Sequence, residues 1–244
     1  MSAPRTIIVT GGSRGLGLGI ASALAGQGYR VVALARRESD QLQAAMKAAP
    51  ESSLRFEPFD LEHLEHVSEF VRGVRKAHGP IYGLVNNAGL GTEGVLATMP
   101  TSAIERLVQL NTLAPMVLTK HVVRSMMSAG TGRIVNMSSI IASTGYSALS
   151  VYAATKASMI GFTRSLAREV GPLGITVNAI APGFVDTEMT SMLDDAQRAK
   201  IARRSALGRL TSIEDVASAA TYLMSEAAAG ITGTVLTVDA GNTA

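Results

Sequence analysis

The sequence predicts a single α/β domain: a doubly wound parallel sheet of seven strands with helices on both faces. Three observations carry that expectation. Short β-branched runs alternate with segments of helical period as far as the C-terminus, separated by Gly or Asn turns, which is the pattern of repeated βαβ units. The length of 244 residues suits one large domain of this class, and no internal repeat, low-complexity tract or linker marks a second. A composition of 47% hydrophobic and 17% charged residues supplies a buried core and excludes disorder.

Taken in order, strands are expected at Ile7 to Thr10, Arg30 to Ala35, Leu54 to Phe59, Ile81 to Asn86, Arg133 to Met137, Ile175 to Ile180 and Val235 to Val238. Helices are expected around Leu16 to Gln27, Gln41 to Ala49, Leu64 to Ala77, Ser102 to Met127, Tyr152 to Val170 and Ile213 to Met224. The rhythm breaks at about 183–210, where a helical stretch from Asp194 to Arg204 lies between Pro182-Gly183 and Gly208. This reads as an insertion over a site.

The absence of cysteine excludes disulfides, thiolate metal sites and a cysteine nucleophile, and suits a reducing cytoplasm. Met1 to Thr10 leads straight into a strand with no charged leader, and no apolar run approaches the ~20 residues that span a bilayer, so neither targeting nor membrane insertion is expected. The 22 basic residues against 19 acidic ones are scattered rather than gathered on one face, which argues against a nucleic-acid surface.

The turn after the first strand reads Thr10-Gly11-Gly12-Ser13-Arg14-Gly15-Leu16-Gly17 and opens a helix. Glycines there let backbone approach a pyrophosphate, and the helix N-terminus offers unpaired N–H groups and a positive dipole end. The glycines at 11, 15 and 17 depart from the G-x-G-x-x-G spacing, and no Walker Lys-Ser pair follows to favour ATP. At the end of the second strand an acid would bind a ribose 2′-hydroxyl, whereas an arginine accommodates a 2′-phosphate. Here Arg36 follows Ala35 directly, and Arg14 could reach the same phosphate from the Gly turn. The expected cofactor is therefore NADP(H) in preference to NAD(H); two solvated surface arginines are the alternative.

Tyr152 and Lys156 stand at i and i+4 on one face of a helix. A tyrosine pKa of ~10 is too high for ready proton exchange near neutrality, and an adjacent ammonium is expected to lower it. Tyr152 could then exchange a proton with a carbonyl oxygen that receives hydride at its carbon. Ser139 follows the fifth strand, where its hydroxyl could bond that oxygen; Ser138, Ser143 and Thr144 compete with it on sequence alone. Asn111 lies inside a long helical segment, a position its poor helix propensity leaves to be explained.

With these residues in place, the chain resembles the short-chain dehydrogenase/reductase family over essentially its whole length. The matching positions are Thr10-Gly11, Gly15-Leu16-Gly17, Asp60, Asn86-Asn87-Ala88-Gly89, Asn111, Ser139, Tyr152-Ala153-Ala154-Thr155-Lys156, Pro182-Gly183, Thr232-Gly233 and Asp239-Ala240-Gly241. Within the family it is most similar to the 3-oxoacyl-carrier-protein reductase branch, on the Thr10-to-Gly17 turn and the run Ala181 to Met189. The resemblance implies a Rossmann sheet, a homotetramer, and a catalytic set of Asn111, Ser139, Tyr152 and Lys156, with the lysine holding the nicotinamide ribose and the asparagine anchoring a water. It also implies that Asp60 and Leu61 flank the adenine, Asn87 to Gly89 line the ribose, and Val185 and Thr187 contact the nicotinamide carboxamide. The implied substrate is a small carbonyl or alcohol. Members that accept carrier protein tend to carry basic residues where this chain has Ala129-Gly130-Thr131 and Gly171-Pro172-Leu173, which puts a carrier-protein role in doubt.

Overall fold

The computed structural model describes residues 4–186 and 194–244. Seven strands, β1 (Thr6–Thr10), β2 (Arg30–Ala35), β3 (Leu54–Pro58), β4 (Ile81–Asn86), β5 (Gly132–Met137), β6 (Ile175–Pro182) and β7 (Val235–Val238), form one sheet in the order β3-β2-β1-β4-β5-β6-β7. Every neighbouring pair is parallel. The chain winds outward from β1 in one direction and from β4 in the other, so the order reverses between them; ligands of such sheets sit outside the strand C-termini at that reversal. Each strand lies within about two residues of its sequence-based bounds.

Side-chain alternation explains why the strands read as unbroken apolar runs. Ile7 and Val9 pack on one face with Ile20 and Leu24 of α1 (Gly15–Gly26), Leu42 of α2 (Asp40–Ala48) and Val216, Ala220 and Met224 of α8 (Ile213–Met224). Ile8, between them, faces the opposite layer of Val71 and Val74 from α3 (Val67–His78), Leu118 and Val122 from α5 (Ala114–Met127) and Leu166 and Val170 from α6 (Ser150–Val170). With both faces covered, apolar residues are required at both parities.

The segment expected as one helix from Ser102 to Met127 is interrupted. It consists of α4 (Thr101–Val108), a π-helical turn at Gln109–Leu113 and then α5. Pro115 has no N–H to give to the carbonyl of Asn111 four residues earlier, so an unbroken α-helical ladder cannot form there. π-turns of this kind are frequent at functional sites. In the insertion, α7 (Asp195–Arg204) is closed at its start by a reciprocal box between Asp194 and Gln197. The insertion borders a cleft of about 540 Å³ lined by residues that include Asp186, Arg198, Arg209 and Thr211.

Candidate active site

The Gly-rich turn leaves β1 and enters α1 at the reversal point of the sheet. Gly11 takes a left-handed φ of 66°, and a Cβ at Gly17 would lie 2.2 Å from the Gly11 carbonyl oxygen and 2.5 Å from Asn87 Nδ2, so the turn closes only without side chains there. The first turn of α1 has no side-chain cap and no acidic residue, which leaves its N–H groups and dipole able to receive an anion. The turn is tied to the next unit as well: Gly12 N donates to Leu34 O at 3.2 Å, and Ser39, the N-cap of α2, donates from its hydroxyl to Ser13 O. Those bonds bring the end of β2 alongside the turn, with Arg14 and Arg36 both exposed.

The remaining residues expected around a dinucleotide follow the strand ends. Asp60 closes the turn after β3 by accepting from Glu62 N at 3.0 Å, and Leu61 is buried beside it. Thr10 Oγ1 accepts from both Asn87 N and Ala88 N at 2.9 Å, while Asn87 Nδ2 donates to Thr10 O at 2.9 Å, which locks the loop after β4 onto β1. Pro182 ends β6, Gly183 N donates to Val238 O at 2.9 Å, and Val185 bridges to Thr211. Thr187 lies outside the described residues. The bare turn, the uncapped helix start and the strand-end loops together fit a pyrophosphate-bridged dinucleotide.

Ser139, Tyr152 and Lys156 converge beside this cradle. Tyr152 stands in the first turn of α6 and Lys156 one turn further on, with Nζ 5.8 Å from the centre of the Tyr152 ring. Lys156 is only 7% exposed and its ammonium donates to Met137 O, at the end of β5, at 3.0 Å. Burial lowers its pKa to about 8. Burial also raises the pKa of Tyr152, opposed by a hydrogen bond with the Ser139 hydroxyl. The lowering of Tyr152 expected from the helical spacing of Lys156 does not hold in the protein alone: desolvation of the phenolate is the larger effect, and what opposes it is the hydrogen bond with Ser139.

The structure separates Ser139 from its competitors. Ser138 donates to Lys156 O at 2.9 Å, and Ser143 and Thr144 both donate to Ile140 O, so these three hydroxyls are committed to backbone carbonyls. Ser139 Oγ accepts from Ile141 N at 3.2 Å and keeps its proton for the Tyr152 side. Asn111 answers the propensity question: its Oδ1 accepts from Leu90 N at 2.8 Å, and its Nδ2 donates to Leu90 O at 2.9 Å and Thr155 Oγ1 at 3.2 Å. Gly89 permits this approach, since a Cβ there would stand 3.1 Å from Asn111 Oδ1 and 3.4 Å from Lys156 Nζ. Sequence reasoning assigned no role to the side chains of Thr10 or Thr155 and had Ser138 only as a competitor of Ser139; the signal for Thr10 was its place directly before the Gly turn. Among the described residues, no helix is long and apolar enough to cross a membrane, and no group of three or more His, Asp or Glu side chains could hold a metal.

The chain is similar to known proteins over nearly its whole length. A family model described as enoyl-(acyl carrier protein) reductase matches residues 11–243. The 3-oxoacyl-(acyl-carrier-protein) reductase FabG of Escherichia coli (strain K12) is 39% identical over 235 residues, covering 96% of this chain and 95% of that protein. The enzyme of the same name from Vibrio cholerae is 36% identical over 243 residues, covering 97% and 96%. Among solved structures, a gluconate 5-dehydrogenase from Burkholderia cenocepacia J2315 in complex with NADP and tartrate superposes with a TM-score of 0.92 at 28% identity, covering 100% of this chain and 96% of that one. ElxO with NADP bound superposes with a TM-score of 0.91 at 28% identity, covering 98% of each chain. The chain belongs to the short-chain dehydrogenase/reductase family and is an oxidoreductase of that family.

Proposed function

We propose that this enzyme reduces a ketone or 3-oxoacyl group to a secondary alcohol with NADPH, with Tyr152 as the proton donor. The observation that carries the reading is the convergence of Ser139, Tyr152 and Lys156 at the strand ends beside an uncapped Gly-rich helix start. When bound, the reduced nicotinamide supplies the hydride. Ser139 donates to the carbonyl oxygen as negative charge develops on it. Tyr152, whose raised pKa keeps it protonated through the neutral range, gives its proton to that oxygen. Lys156 remains charged at neutral pH and holds the nicotinamide ribose, Asn111 fixes the backbone at Leu90, and Val185 is assigned to the carboxamide. Asp60 and Leu61 flank the adenine, and Asn87, Ala88 and Gly89 line the ribose. The test is consumption of NADPH by a panel of ketones and 3-oxoacyl thioesters, followed at the nicotinamide absorbance. No turnover across the panel would refute the reading.

The substrate is proposed to be a small molecule rather than a carrier-bound chain, because exposed Ala129-Gly130 and Gly171-Pro172 offer no cation to an acidic carrier. The dehydrogenase among the structural relatives favours a second reading, oxidation of a small secondary alcohol by the same residues.

Arg36 and Arg14 are proposed to hold the 2′-phosphate. Their exposure beside the Gly turn supports this, as do the NADP complexes among the structural relatives. Each hydrogen bond to a charged group contributes about 1.5–3 kcal/mol, and every ~1.4 kcal/mol is tenfold in affinity. Arg36→Ala or Arg14→Ala should raise the KM for NADPH roughly tenfold to a hundredfold and leave that for NADH within about threefold. Arg36→Asp should go further by repelling the phosphate. The ratio of kcat/KM with the two cofactors on one substrate measures this, and an unchanged ratio in all three variants would refute it.

A homotetramer completes the proposal. Val108 and Leu113 are 44% and 43% exposed around the π-turn, and Ala154, Ala157 and Gly161 form an exposed small-residue stripe on α6 against which a second copy could pack closely. Light scattering at micromolar concentration should give four times the chain mass; a monomer would refute it.

A further inference from the structure

We propose that Thr155 is a positioning residue for Tyr152, coupling the proton donor to the π-turn through Asn111. The proposal rests on the reading of Tyr152 given above. Thr155 lies between Tyr152 and Lys156 in sequence and is 3% exposed, yet it faces neither the Lys156 ammonium nor the Ser139 hydroxyl among its hydrogen bonds. Its hydroxyl donates to the Tyr152 carbonyl at 2.8 Å. That spends its single proton and turns a lone pair toward the π-turn, where Asn111 Nδ2 donates to it at 3.2 Å. Asn111 in turn grips the Leu90 backbone with both ends of its amide. The result is a directed chain from the loop after β4, through Asn111 and Thr155, to the main chain of Tyr152.

The direction of each bond is fixed by the inventory of donors. Asn111 has two amide protons, given to Leu90 O and Thr155 Oγ1, and its Oδ1 is taken by Leu90 N. Removing the Thr155 hydroxyl leaves one buried amide proton of Asn111 without this acceptor and releases the Tyr152 carbonyl from its side-chain donor. A hydroxyl bonded three residues back along its own helix is common, and by itself would carry no meaning. The informative bond is the one between elements, because it joins α6 to the π-turn, whose Asn111 also holds the loop expected to line the cofactor ribose. A second polar tie runs parallel to it one turn on, where the Thr112 and Ser158 hydroxyls meet at 3.0 Å and Ser158 donates to Thr155 O at 2.7 Å. α6 is thus held to the π-turn at two successive levels, and the level nearer the chemistry passes through Thr155.

Thr155→Val keeps the shape and removes the hydroxyl; Thr155→Ala removes it with less volume change in case valine packs badly; Thr155→Ser restores it. In the full-length enzyme with NADPH and one ketone, Val and Ala should lower kcat roughly tenfold, since small displacements of a reacting group are costly. KM for both reactants should stay within about twofold, and the solvent deuterium isotope effect on kcat should rise as proton transfer becomes slower. Ser should recover kcat to within about threefold, and Asn111→Ala combined with Thr155→Val should be no slower than Asn111→Ala alone, as expected of residues acting through one another. Tyr152→Phe is run beside these. Its retention of turnover would remove the reading on which the proposal rests. With Tyr152→Phe inactive, wild-type kcat in Thr155→Val and Thr155→Ala would overturn the proposal alone, and so would a loss shared by kcat and KM that serine does not rescue.

Discussion

Tyr152→Phe should lose nearly all turnover while binding NADPH with close to wild-type affinity. The substitution removes one hydroxyl and keeps the ring, which is partly buried at the start of α6. Positioned general acids contribute roughly 10²–10⁴-fold to rate, and the raised Tyr152 pKa means that the group lost is a protonated donor throughout the neutral range. Lys156 and the Gly-rich turn, which are proposed to hold the cofactor, are untouched. Steady-state assays combined with fluorescence titration of NADPH separate the two effects. Turnover above a tenth of wild type would remove Tyr152 from the role of proton donor. Loss of NADPH binding in parallel would assign it to the cofactor site instead.

The fold was legible because the strands are short and both sheet faces are covered. Ile7, Ile8 and Val9 read as a continuous apolar run, and that continuity itself implied two helical layers. The break in the long helix was less legible. Gln109 to Leu113 contains no Gly or Pro, and the signal lay beyond it in Pro115, whose effect falls on the carbonyl four residues back. Catalytic candidates could be named from spacing, but the choice of Ser139 over Ser138 could not. It depends on Ser138 reaching the Lys156 carbonyl across the joint between β5 and α6. Thr155 stayed hidden for a related reason: its bond to Asn111 spans 44 residues of sequence. The direction of the Tyr152 pKa was not legible because burial is a tertiary quantity, and here its cost exceeds the opposing hydrogen bond with Ser139.

Lys156→Met should make the protein more stable and inactive. The ammonium is 7% exposed and its pKa falls from 10.5 to about 8 through desolvation. At neutral pH both folded and unfolded chains carry the proton, and the folded one bears the cost of burying it, about 3 kcal/mol from 1.36 kcal/mol per unit of pKa. Methionine has a similar length and no charge to desolvate. It also forfeits the bond to Met137 O, worth about 1.5–3 kcal/mol for a charged donor, so the net gain is expected at roughly 1 kcal/mol, or a Tm higher by about 2–4 °C for a chain of this size. The pH dependence isolates the cause. As pH rises from about 8 towards 10.5, the wild-type folded state has released a proton that the unfolded state still holds, so its stability should climb through that window. The methionine variant lacks this climb, and its advantage should shrink and reverse across the same range. Activity should be lost at every pH, because the residue proposed to hold the ribose and keep a positive charge beside Tyr152 is gone. Thermal unfolding of both proteins without cofactor, at one concentration and from pH 7 to 10, measures the stability prediction. A wild-type Tm that fails to rise relative to the variant between pH 8 and 10 would show that the buried lysine is not desolvated to the extent its surroundings indicate.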